Sequence, residues 1–214
     1  MNEVLENKLN IKSQFELDKQ EELISKKRAL RLFDNKNFIS CDIYKFDFLA
    51  KIHKFLFEEI YHFAGQIRTQ NISKGGFRFA PVLYINEAIK KVENMPNGSF
   101  DEIVEKYVEM NIIHPFREGN GRSMRIWLDF MMRDALKLTI EWSRISKADY
   151  MLAMERSPIK DTEIKALLKN ALNQDIGEFS LFARNVDISY SYEGYDFYTS
   201  FELLKSIDEN RKKI

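Results

Sequence analysis

Four things are scarce in this chain, and each absence excludes something. There is one cysteine, Cys41, so no internal disulfide can form and nothing points to an oxidising compartment. With only 8 glycines and 4 prolines in 214 residues, breakers are few and helices are favoured. No apolar run reaches the length of a membrane span, because "IWLDFMMRDAL" is broken by Asp129, Arg133 and Asp134. Charge of one sign is missing too. The 33 Lys and Arg against 33 Asp and Glu leave no net field to draw the protein to nucleic acid or a membrane. The basic cluster "KKRALR" at 26–31 sits among acids and reads as a solvated helix face. The opening "MNEVLENKLN" lacks the basic and then apolar profile of a signal peptide. Together these absences predict a soluble, cytoplasmic protein with no direct nucleic-acid or membrane partner.

What is present suits one packed domain with appendages: 44% hydrophobic and 13% aromatic residues. Apolar spacing predicts a helical N-terminal arm over 15–33. Leu49, Ile52, Leu56, Ile60 and Phe63 recur every three or four residues and predict an amphipathic helix stopping at Gly65. Further helices are expected over 86–95, 101–113 and 146–156, with another starting at Ser157 and Pro158. Ile126, Trp127, Phe130 and Met131 mark a helix through the domain centre. From 179 the chain turns aromatic and then charged. One stretch, "QNISKGGFRFAPVLY", is not helical. Gly75 and Gly76 separate alternating residues, with Phe77 and Phe79 on one side and Arg78 on the other, the pattern of a β-hairpin.

The richest chemistry lies in "HPFREGNGRSMR", His114 to Arg125. A Gly119-Asn120-Gly121 run leading into a helix offers unpaired backbone N–H groups with the positive end of the helix dipole behind them. Such a nest cradles phosphate. Arg122 and Arg125 lie three apart and share a helix face, and two guanidiniums beside a nest suit a polyphosphate. Glu118 would repel that phosphate unless a cation lay between them, and Mg²⁺ binds through one or two carboxylates with phosphate oxygens and water. A nucleotide with magnesium follows. His114 titrates near neutral pH and can take a proton from an attacking hydroxyl. Pro115 stiffens the loop, and Phe116 is expected to anchor it by burial.

These twelve residues resemble the Fic motif HxFx(D/E)(A/G)NGRxxR at every defined position. The resemblance implies an all-α fold, a Fic-type helical core with a small β-hairpin flap over the active site. It divides the chain into an N-terminal helical arm over 1–40, a core over 41–178, a C-terminal helix over 179–196 and a charged tail over 197–214. It also implies a reaction in which ATP gives AMP to a Ser, Thr or Tyr hydroxyl of a target protein and diphosphate is released.

Carried onto this sequence, His114 becomes the base and Glu118 the magnesium ligand. Gly119, Asn120 and Gly121 become the nest for the α- and β-phosphates, Arg122 holds the β-phosphate side and Arg125 the γ-phosphate. Doc-type kinases of the wider family carry Lys where this chain has Gly121, so Gly121 favours adenylyl transfer. Ser73, Gly75, Gly76, Phe77, Arg78 and Phe79 resemble the flap that holds a target segment by strand addition, and Lys74 is placed to reach the nucleotide. Tyr150 to Met154 are candidates for the adenine pocket.

Further on, "SYSYEG" resembles the family's inhibitory pattern (S/T)xxxE(G/N), with Ser189, Glu193 and Gly194 at its defined positions. There the glutamate pairs with the second motif arginine, here Arg125, and keeps the γ-phosphate from seating productively. Tyr190 and Tyr192 within that segment carry hydroxyls for automodification that would release the lock. Bacterial relatives suggest a type II topoisomerase as target and a capacity to self-associate. Removal of AMP, transfer from another nucleotide donor and a non-catalytic nucleotide sensor are the competing readings.

Overall fold

In the computed structural model, which describes residues 4–211 apart from 34, 36, 37, 40 and 75, the protein is mostly helical. The helices are α1 (Gln14–Leu30), α2 (Phe46–Phe57), α3 (Ile85–Glu93), α4 (Phe100–Ile113), α5 (Asn120–Leu136), α6 (Lys147–Arg156), α7 (Thr162–Asn170), α8 (Phe179–Ser191) and α9 (Ser200–Arg211). Two small antiparallel pairs of strands accompany them. In β1 (Ser73–Lys74) and β2 (Phe77–Arg78), Ser73 pairs with Arg78 and Lys74 with Phe77. In β3 (Thr139–Ile140) and β4 (Leu172–Asn173), Thr139 pairs with Asn173 and Ile140 with Leu172. None of the described helices is long and apolar enough to cross a membrane.

Local chemistry sets the helix starts. Ser13, Ser99 and Ser146 each accept a backbone N–H from the first turn of α1, α4 and α6, and Ser99 completes a capping box with Glu102. α5 is the core element, as its apolar pattern predicts. Met124, Trp127, Leu128, Met131 and Met132 are buried, and the helix packs against α2, α4 and α8. Trp127 resolves its one polar atom by donating Nε1–H to the Ile43 carbonyl at 2.6 Å.

The expected boundaries shift in three places. α2 ends at Phe57 rather than Gly65, and the chain passes through turns to Gly65, whose φ of +78° lies in the left-handed region. Ile60 is buried from that turn region instead. Ser157 and Pro158 close α6 rather than open a helix: the Ser157 hydroxyl donates to the Met154 carbonyl, and α7 starts only at Thr162. The expected charged tail forms helix α9 over Ser200–Arg211, with Leu203 buried and α9 packed on α1 and α8. The long-range pairing of β3 with β4 lies outside the sequence expectations, since two-residue strands leave no period to read.

His53 lies on the apolar face of α2, fully buried and stacked on Phe116 with ring centroids 3.9 Å apart. Its Nδ1 accepts the Gly65 N–H at 2.8 Å, so Nε2 carries the proton and donates to the Glu118 carbonyl at 2.8 Å. Burial pushes its pKa down to about 3, against the opposing pull of that Glu118 carbonyl.

The unfolded chain takes up a proton on His53 near pH 6.5, whereas the folded protein refuses it until about pH 3. Stability should therefore fall as pH drops through this window. Between about pH 7 and about pH 5.5, His53 alone should remove about 1 kcal/mol. Thermal melts of wild type and His53→Gln across that range check this, and equal slopes for the two would refute it.

Candidate active site

The loop joining α4 to α5 is shaped by side chains that close on its backbone. His114 sits at the C-terminus of α4 with φ +51°, turning the chain out of the helix. The buried Arg68 guanidinium collects the carbonyls this exposes. Its Nε donates to His114 O at 2.8 Å, and its Nη2 donates to Ile113 O at 3.1 Å and Ala80 O at 2.6 Å. One cation thus ties the loop to the segment leaving the β1–β2 hairpin. Phe116 is fully buried, as expected. Asn120 accepts the Phe116 N–H at 2.9 Å and donates to its carbonyl at 2.8 Å. Gly119, with φ +76°, precedes α5, and a Cβ there would lie 2.5 Å from the Phe57 ring. No side chain caps α5, which leaves its first N–H groups to the cleft.

That cleft encloses about 640 Å³ and brings together His114, Glu118, Gly119, Asn120, Gly121, Arg122 and Arg125 with Lys74, Phe77, Phe79 and Glu193. Phe79 from the hairpin stacks on the His114 ring at 3.7 Å between centroids, and Phe77 meets Phe79 edge-on at 5.2 Å. Burial lowers the His114 pKa to about 3, so the imidazole is neutral at neutral pH and free to accept a proton. Arg125 is nearly wholly enclosed. Its Nε donates to Ser189 Oγ at 2.8 Å, and its Nη2 donates to Ser189 O at 2.7 Å and Glu193 Oε1 at 3.0 Å. Lys74 donates to the other Glu193 oxygen at 3.0 Å. Burial alone would raise the Glu193 pKa, yet Arg125 and then Lys74 hold it down at about 2. The Glu193 carboxylate lies against Gly121, where any Cβ would overlap it. Gly194, with φ +89°, ends the segment in the left-handed region.

Several expectations change in detail. Arg122 turns away from the nest: its side chain is fully buried, Nη1 lies 2.6 Å from Glu21 of α1, and Nη2 lies 3.3 Å from Glu118. The Asn120 side chain is consumed by Phe116, leaving only its backbone to the nest. Lys74 reaches Glu193. Tyr190 and Tyr192 are buried, their hydroxyls donating to Ser25 and to the Ile145 carbonyl, so neither is an acceptor while α8 stays in place. Ser73, Gly76, Phe77, Arg78 and Phe79 form the hairpin and its exit, whereas Gly75 lies outside the described residues. Of the adenine candidates, Tyr150, Met151 and Met154 line the cleft, while Leu152 is exposed and Ala153 buried away from it. His53, Phe57 and Arg68 escaped sequence reasoning. A histidine between Ile52 and Leu56 on an apolar stripe was the signal available for the first of them.

Among the described residues no three His, Cys, Asp or Glu side chains cluster as a metal site. Glu118 offers a single carboxylate, 44% exposed at the cleft, with Oε1 accepting the Gly119 N–H at 2.9 Å. One carboxylate beside the uncapped N–H groups that begin α5 fits Mg²⁺, which would take the rest of its shell from phosphate oxygens and water.

A model of the Fic/DOC family matches residues 44–132, from just ahead of α2 to near the end of α5. Among the chain's relatives is the protein adenylyltransferase VbhT of Bartonella schoenbuchensis, 28% identical over 197 residues, or 87% of this chain and 40% of VbhT. The chain thus spans well under half of that relative. The probable protein adenylyltransferase y4lH of Sinorhizobium fredii is 29% identical over 166 residues, covering 72% of this chain and 83% of y4lH. A likeness in fold extends to the crystal structure of BepC from Bartonella tribocorum with bound AMPPNP. Its TM-score is 0.68 at 20% identity, over 79% of this chain and 92% of that one.

The contact between Gly119 and Phe57 can be tested directly. Gly119→Ala combines a left-handed backbone with a clash against the ring, and should destabilise the protein by about 2–4 kcal/mol. Denaturant midpoints measure the loss. A Phe57→Leu change made in addition should recover part of it, and no recovery would remove packing as the cause.

Proposed function

We propose that the protein transfers AMP from ATP to a hydroxyl of a target protein, releasing diphosphate, and that the end of α8 holds it inactive. The observation carrying this reading is the meeting, in one cleft, of a neutral imidazole, an uncapped helix N-terminus behind a glycine nest, and a guanidinium plugged by a carboxylate. The names of VbhT and y4lH support the reaction, and the AMPPNP held by BepC supports the donor class.

In the reaction the acceptor oxygen attacks the α-phosphorus, an O–P bond forms, and the bond to the β-phosphate bridging oxygen breaks. Diphosphate leaves and the hydroxyl proton passes to His114. Burial keeps that ring uncharged and ready, and a polyphosphate beside it would strengthen its hold on a proton. The N–H groups at the start of α5 bind the phosphates, and positioning with charge stabilisation supplies most of the catalysis. Glu118 would hold magnesium, which when bound neutralises phosphate charge. The hairpin edge from Ser73 to Phe79 would take the target segment by strand addition, presenting its hydroxyl beside His114.

Inhibition follows from who holds Arg125. While Glu193 occupies it and leans on Gly121, a γ-phosphate cannot pair with that guanidinium. Automodification of Tyr190 or Tyr192 would require α8 to withdraw first.

A hydrogen bond to a charged group is worth about 1.5–3 kcal/mol, so Glu193→Gly should raise labelling of targets by roughly ten- to a hundredfold. Incubation with α-labelled ATP and a cell lysate, with a purified type II topoisomerase as a separate arm, reads this out. Equal labelling by wild type and Glu193→Gly would defeat the inhibitory role. His114→Ala in the Glu193→Gly chain should still bind ATP yet label nothing, and labelling by that variant would remove His114 as the base.

A further inference from the structure

Arg122 carries a full positive charge with no access to water, and such a group persists only beside a counter-charge. Two carboxylates are within reach, and they are not equivalent. Glu21, on α1 and outside the matched Fic residues, is 1% exposed and lies 2.6 Å from Nη1. It is held on both sides: Tyr61 donates to Oε2, and Tyr195 donates to Oε1 at 2.8 Å. Glu118 lies farther off, at 3.3 Å from Nη2, and opens onto the cleft. Burial works against the charge on Arg122, and the largest influence restoring it is Glu21, ahead of Tyr195 and Glu118. Phe57, Tyr195 and Tyr190 surround the guanidinium with ring faces and supply no acceptor that could replace a carboxylate.

We infer that Glu21 is a positioning residue for Glu118: by neutralising Arg122 from behind, it leaves the Glu118 carboxylate free for a magnesium–nucleotide in the cleft. Without Glu21, the buried guanidinium has only Glu118 to pair with and draws it inward, away from the phosphates. The inference rests on the reading of Glu118 as the metal-holding group. It adds α1 to the working parts of the site.

The test uses the full chain carrying Glu193→Gly and measures AMPPNP binding by calorimetry, with magnesium titrated in and with EDTA. Adding Glu21→Gln should raise the magnesium needed for half-maximal binding by roughly tenfold, the lower range for losing a partner behind a metal ligand. Metal-free binding should be unchanged. Glu22→Gln is the control, because Glu22 is equally buried but bonds Lys26 and the Phe197 N–H instead of Arg122. It should lower the melting temperature and leave the magnesium dependence alone. Glu21→Asp keeps the charge at shorter reach and should fall between Glu21→Gln and the parent. It gives the same reading if Glu21→Gln does not fold. Unaltered magnesium dependence in a folded Glu21 variant, or an equal shift in Glu22→Gln, would overturn the inference alone. Failure of the parent to bind AMPPNP with magnesium would overturn the nucleotide reading and this inference together.

Discussion

The entry into α5 is a left-handed glycine pressed against an aromatic ring, and the positions of the other groups in the cleft follow from it. Gly119 can take φ +76° and lie on Phe57 only because it has no side chain. That close approach seats the helix N-terminus on α2. Asn120 then closes the loop on Phe116, and His53 reaches from α2 to the Glu118 carbonyl. The nest is therefore an outcome of core packing, held by groups that never face the cleft.

Charges in and around the cleft are arranged in pairs of unequal depth. Arg122 and Arg125 are both buried at the start of α5, and each is matched by a carboxylate from a distant part of the chain, Glu21 from α1 and Glu193 beyond α8. The two pairings differ in consequence. Glu21 is locked among tyrosine hydroxyls, whereas Glu193 follows the last turn of its helix and shares its charge with the exposed Lys74. A deep pair resists rearrangement because separating it would strand a buried ion, and a pair at the cleft edge can open to water. The geometry thus supports a permanent role for the first pair and an exchangeable one for the second.

His114 draws on both halves of the site. Its left-handed backbone is stabilised by Arg68 through carbonyls that the end of α4 leaves unpaired, and its ring is covered by Phe79 from the hairpin. Because Arg68 also bonds Ala80, the hairpin and the imidazole are anchored through one guanidinium. A segment laid along the hairpin would consequently be registered against the ring.

Much of the site was legible in advance because its chemistry is local. The twelve residues from His114 to Arg125 turn, expose N–H groups and enter a buried helix by rules acting within a few residues, as do the hairpin at Gly76 and the serine caps of α1, α4 and α6. The pairing of Glu193 with Arg125 was legible only through family resemblance, since 68 residues separate them. What the tertiary structure alone decided is where the long side chains go. A guanidinium can reach several ångströms in any direction, so nothing in the motif could say that Arg122 turns back to Glu21. Nor could it say that Arg68 gathers the α4 carbonyls, or that Tyr190 and Tyr192 spend their hydroxyls inside the core. Those choices depend on which distant element packs behind each residue, and periodicity along the chain carries no record of that.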